Sequence, residues 1–374
     1  MSAQKDPEPI KNVKLTIPDN QTSRWPLVVF SAAISIALAI GLLNYLSQDT
    51  GRPITDLEGA TPPPVRSSIK WTNVAQLEPL SILKVGGFES AINDLSFSSD
   101  GRFLGSGDWS GVVRRWRVDR SELVDTFPAK KEAVRQVAFD ISGDLLAAGT
   151  AKESTEIWLT RNGQTLWQSQ PNGTVLTMFF NPDRTLVASG GVQSVQLWTT
   201  NVGELAGTLN GREPMAFSPD GLTIATAYAN NVIQLWRISD GEPLQAFQRY
   251  RNSVTKIPGL RSLAFSPDGS ILAAAFTDGV IALWRVEDAR LLNKLETNIN
   301  TDDVMSFSPD GRWLAYGGLS GRIGICDVKM GVMLATLRYP GGVRSLAFSP
   351  DGTLLAAGGV DAETTIWLWG KPAP

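Results

Sequence analysis

A closed ring of seven small antiparallel sheets, all-β in class, is the fold this sequence predicts, with one membrane-crossing helix ahead of it. Three observations predict it. Seven segments place a Phe at a strand end and a Trp, or a residue standing in for one, 18 or 19 residues later: Phe97/Trp116, Phe139/Trp158, Phe180/Trp198, Phe217/Trp236, Phe265/Trp284, Phe307/Cys326 and Phe348/Trp367. Successive Phe positions are 42, 41, 37, 48, 42 and 41 residues apart, the period of a four-stranded unit repeated about an axis rather than of a helical solenoid. Residues 27–46 form an uncharged, mostly apolar run of twenty, long enough to cross a hydrocarbon core as a helix.

Taken in order, residues 1–24 are a polar leader expected to be disordered, 25–47 the helix, 48–76 a Pro-rich stalk and 77–374 the ring. A buried core helix is the bland alternative for residues 27–46, but the run lies outside the repeats and has no polar face. A cleavable signal peptide is the stronger rival. The long polar leader, the length of the apolar run and the lack of an Ala-x-Ala site after it favour an uncleaved anchor. Lys5, Lys11, Lys14 and Arg24 precede the helix, against Arg52 and Arg66 soon after it. That bias puts the amino terminus in the cytoplasm and the ring in the periplasm, a lumen or the exterior.

Within the repeat, each Phe ends a strand of the form Val343-Arg344-Ser345-Leu346-Ala347-Phe348 and runs into a reversal such as Ser349-Pro350-Asp351-Gly352. Ser bonds back to the backbone, Pro presets its own φ and Gly suits the fourth position, the preferences of a type I turn. The next strand is short, apolar and rich in small residues, as in Leu354-Leu355-Ala356-Ala357-Gly358, which reads as buried on both faces and lets neighbouring units pack closely. A third strand ends on the Trp and a fourth follows a Gly- or Asp-containing turn. After Trp367 only seven residues remain, too few for a fourth strand, whereas residues 77–83 align with the fourth-strand copy at Gly241-Glu242-Pro243-Leu244-Gln245-Ala246-Phe247. The upstream segment is therefore expected to complete the last unit, removing an exposed sheet edge.

Over residues 77–369 the chain resembles the WD40 family, which implies a seven-bladed β-propeller closed by its N-terminal strand. The Phe-Ser-Pro-Asp-Gly turn is similar to that of bacterial members, which implies a bacterial source. The departures are clear. The Trp-Asp pair that names the family survives only as Cys326-Asp327, and the chain has no His, so the family's His-centred polar tetrad is expected to be missing; Asp278 and Asp361 sit where its Asp would be.

Formal charge is -3, so there is no basic footprint for nucleic acid. Zero His removes the usual general base, the commonest metal ligand and any Ser-His-Asp arrangement. Cys326, the sole cysteine, cannot form an internal disulfide and reads as a packed thiol. Gly105-Ser106-Gly107-Asp108-Trp109-Ser110-Gly111 resembles a phosphate loop in composition but lacks its spacing and following helix. Trp116, Trp158, Trp198, Trp236, Trp284, Cys326 and Trp367 are expected in the blade cores. No catalytic residue, metal site or cofactor is expected. The 48-residue gap points to an enlarged connection between blades four and five, and its Arg249, Tyr250, Arg251, Lys256 and Arg261, with Asp108 and Trp109, are the expected partner-binding residues; a tolerated insertion is the bland alternative. These readings converge on a membrane-anchored, non-catalytic platform for protein partners, a scaffold or assembly component of a membrane complex. The alternative is a propeller enzyme or ligand or Ca²⁺ sensor using carboxylates at the central channel.

Overall fold

Each Ser-Pro-Asp-Gly segment reverses the chain as its composition requires. The Gly N–H donates to the Ser carbonyl in all four, at Gly221, Gly269, Gly311 and Gly352, and at Gly101 in the variant Ser98-Ser99-Asp100-Gly101, over 2.8–2.9 Å. Those glycines adopt φ of 66–72°, the left-handed region where a side chain is strained. The Ser hydroxyl accepts the N–H five residues on, as Trp313 N–H donates to Ser308 Oγ at 2.9 Å, and the Asp carboxylate accepts the Ser hydroxyl. The recurring Asp residues are thereby occupied in turn structure.

The computed structural model describes residues 77–85, 91–128, 132–151, 155–160, 162–169, 175–191, 193–228, 232–248, 259–297 and 304–371. The expected leader, membrane helix and stalk lie outside the described residues. Among those described there are only strands, arranged as seven four-stranded antiparallel sheets. In each, the strand ending on the repeated Phe is innermost: Ile92–Phe97, Val134–Phe139, Thr177–Phe180, Arg212–Phe217, Leu260–Phe265, Val304–Phe307 and Gly342–Phe348. Neighbouring innermost strands touch all the way round, including blade seven against blade one. This is a seven-bladed propeller.

Closure follows the expected route. Glu78–Lys84 pairs antiparallel with Thr365–Gly370, with Ile82 opposite Trp367 and Lys84 opposite Thr365. The last blade thus joins both ends of the ring.

Seven hydrophobic clusters form among the described residues, and each sits at a junction between consecutive blades. Trp116 packs at the junction of blades seven and one, Trp158 at one and two, Trp236 at three and four, Trp284 at four and five, and Cys326 at five and six. Each buried aromatic contributes roughly 1.5–3 kcal/mol. The second strands are buried on both faces, and small residues there are required by close approach. A Cβ on Gly107 would lie 2.4 Å from Val134, on Gly149 2.5 Å from Val175, and on Gly358 2.7 Å from Ile92.

Blade seven departs from the sequence pattern. Elsewhere the Trp lies opposite the second-strand residue that faces the Phe, as Phe97, Leu104 and Trp116 do. In blade seven Phe348 faces Leu355, and Leu355 faces Trp369 rather than Trp367. Two extra residues before the third strand shift the register. Trp369 is 2% exposed and packs at the junction of blades six and seven, while Trp367 is only partly buried.

Trp367 instead joins a polar chain built without His. Its Nε1 donates to Thr365 Oγ1 at 3.0 Å, the Thr365 hydroxyl bonds Asp361, and Tyr339 Oη lies 2.9 Å from Asp361 Oδ2. The phenol comes from the turn that precedes the innermost strand of the blade. Shorter versions occur elsewhere: the indole N–H of Trp116, Trp198 and Trp236 donates to Ser106, Ser189 and Thr226, each at 2.8 Å.

Candidate functional site

The innermost strands all run in the same sense, so residues at a given offset before the Phe form a layer around the channel. Three residues before it stand Asp94, Gln136 and Ser345, which stitch neighbouring blades. Asp94 accepts Val137 N–H at 2.9 Å, Gln136 accepts Met178 N–H at 2.9 Å, and Ser345 Oγ accepts Leu95 N–H at 3.0 Å. The Ser345 hydroxyl donates to Asp94 at 2.8 Å. Burial is the main influence on the Asp94 carboxyl, lifting it to about 6 against the opposing pull of the Val137 and Ser345 bonds.

One layer further out, four residues before the Phe, stand Asn93, Arg135, Leu176, Glu213, Arg261 and Arg344. They line one mouth of a channel cavity of about 600 Å³. The Ser-Pro-Asp-Gly turns ring the opposite mouth, where Gly101 of blade one meets Pro350 of blade seven. Deeper in the channel, one residue before the Phe, the lining mixes small Ser96, Ala138 and Ser306 with the aromatic Phe179.

Trp109 belongs to the outer layer. Its backbone N–H donates to Ala91 O at 3.0 Å, and the Arg135 and Arg344 guanidinium carbons lie 4.7 and 5.8 Å from its ring centroid. The indole remains 47% exposed. Asp108, beside it in sequence, points the other way in role: it is fully buried, accepts Ser110 Oγ at 2.6 Å and Val112 N–H at 3.0 Å, and pairs with Arg114. It shapes the loop that presents Trp109.

Among the described residues, charge at this mouth is mainly cationic. Arg344 donates to Asn93 Oδ1 at 3.1 Å, and Asn93 in turn donates to Val134 O at 2.7 Å. Glu213 faces Arg261, Arg212 and Arg135; burial raises its pKa, and those three arginines partly offset the rise. The Nε atoms of Arg135 and Arg344 are buried without a hydrogen-bond partner. Among the described residues no group of three or more His, Cys, Asp or Glu converges to hold a metal ion. The acidic channel mouth that a carboxylate-based sensor needs is absent from these residues.

Of the seven residues expected to bind a partner, Trp109 and exposed Arg261 stand at this mouth, Asp108 is interior, and Arg249, Tyr250, Arg251 and Lys256 lie outside the described residues. Cys326 is 1% exposed, and burial pushes its thiol up to about 12, an unreactive state. Arg135, Asn93, Glu213 and Arg344 were not singled out from sequence. The available signal was a charged or polar residue at one fixed offset on otherwise apolar strands.

The WD domain, G-beta repeat family matches residues 78–117, 241–285 and 331–369. Each match begins at or just before an outermost strand and ends on the third strand of the following blade. Among curated proteins, telomerase protein component 1 of Rattus norvegicus is 26% identical over 158 residues, 40% of this chain and 6% of that protein. Small ribosomal subunit protein RACK1 of Caenorhabditis elegans is 25% identical over 164 residues, 40% of this chain and 50% of that protein. Protein tipD of Dictyostelium discoideum is 21% identical over 258 residues, 67% of this chain and 42% of that protein. The chain spans half or less of the length of these relatives.

Proposed function

We propose that this chain is a membrane-anchored, non-catalytic platform on which a protein partner docks, as a scaffold or assembly component of a membrane complex. The observation that carries the reading is the arginine-bearing channel mouth with its exposed Trp109, set on a closed ring. Functional residues tend to sit where a rigid scaffold presents them, and an exposed aromatic beside arginines is the composition of interface hot spots. Two of the similar proteins are by name components of assemblies, of telomerase and of the small ribosomal subunit, which supports a scaffolding role. The anchor rests on the apolar run at 27–46, and the orientation on Lys5, Lys11, Lys14 and Arg24 before it.

The test is capture of partners by the full-length chain in mild detergent, compared with a variant carrying Arg249→Ser, Arg251→Ser, Lys256→Ser and Arg261→Ser. The wild type should retain a defined partner and the variant should lose it. Equal recovery removes this connection as the docking surface, and no partner for the wild type removes the platform. Protease digestion of intact cells should leave the ring accessible only from the non-cytoplasmic side.

A further inference from the structure

Among the described residues, arginines outnumber carboxylates at the channel mouth, a surplus of cation that suits an anion. Arg135 and Arg344 come from the blades on either side of blade one, and both stack on the indole of Trp109. Each buries an Nε–H with no acceptor, and a donor so placed is costly to leave unpaired. Asn93 takes one N–H of Arg344, whereas Arg135 makes no hydrogen bond among the described residues. Of the two carboxyl groups in the described wall, Asp94 is already committed to Val137 and Ser345, and Glu213 is shared among Arg261, Arg212 and Arg135.

We propose that this mouth is a carboxylate-binding site, in which Arg135 and Arg344 receive acidic side chains of an extended peptide segment laid against Trp109. The inference rests on the platform reading and names the chemistry of its partner. Guanidinium forks match carboxylates bidentately, and the low-dielectric wall strengthens the bond. Two cations gathered at one indole suit alternate side chains of an extended chain, which recur every ~7 Å on one face. The half-exposed indole offers a surface for the backbone between them, and the cavity of about 600 Å³ admits side chains rather than enclosing a single small ion.

The probe is a fluorescein-labelled oligoglutamate peptide, followed by anisotropy with the full-length chain in detergent. The wild type should bind, more weakly as salt rises. Arg135→Gln should weaken binding about tenfold in a chain that still folds, because Arg135 holds no structural hydrogen bond. Arg135→Lys should recover part of the loss, as a point charge without the fork. Adding Arg344→Gln should abolish binding. Absence of wild-type binding, or equal affinity in Arg135→Gln, overturns the site. Displacement by succinate at the same carboxylate concentration overturns the peptide assignment, marking a small-anion site. The two readings separate cleanly: partner capture that survives while oligoglutamate is ignored sinks this inference alone, and oligoglutamate binding without any captured partner sinks the platform alone.

Discussion

Asp94 shows how much a single position depends on its surroundings. In sequence it is one acidic residue among many; in the channel wall it ties blade one to blades two and seven through Val137 and Ser345. Its carboxyl titrates near 6 rather than at the ordinary 3.8. Between those values the folded chain holds a proton that the unfolded chain releases, so this group stabilises the fold at low pH and loses that contribution as pH rises toward about 6. Wild-type melting temperature should therefore carry a downward step over that interval. Asp94→Asn, which keeps an acceptor for Val137 N–H, should lack the step; superimposable pH profiles would sink the assignment. The same contrast applies to the candidate site. Trp109 was legible as an odd aromatic in a loop, but Arg344 and Arg135 looked like ordinary strand charges, because the layer they share exists only once seven strands surround a channel.

At the level of strands, the hairpins were readable because their determinants are local: a Ser-Pro-Asp-Gly reversal, a Phe before it and small residues after it. Closure was readable too, since residues 77–83 repeat the outermost-strand pattern upstream of the first hairpin. Blade seven was misread by two residues. Counting from Phe348 reaches Trp367, but the lengthened turn around Asp361 moves the ladder so that Trp369 occupies the packed position. Deleting residues 77–83 should strip Thr365–Gly370 of its partner and leave an open edge. The expected outcome is a lower melting temperature with association on size-exclusion chromatography. A soluble monomer that melts like the wild type would contradict the closure.

For the whole ring, stability is distributed over seven similar junctions, none of which is an end. An open solenoid can fray from its termini, since each repeat contacts only its neighbours. A closed ring must break a junction or the strand seam before any blade is lost. Thermal unfolding of residues 77–374 should therefore be one transition, coincident by tryptophan fluorescence and far-ultraviolet circular dichroism. Two separated transitions would show that the seam opens on its own.

The amino-acid order by itself determined the number of blades, the hairpin turns and the strand that closes the ring, because period, turn chemistry and side-chain size act over a few neighbouring residues. Only the tertiary structure decided that Tyr339 completes a polar chain at Asp361, that Asp108 is buried while Trp109 is exposed, and that Arg135 and Arg344 meet at one indole. Those relationships join residues from different blades or from opposite sides of one loop. Their energies come from burial and charge at a shared channel mouth, which no stretch of sequence contains until the ring has closed.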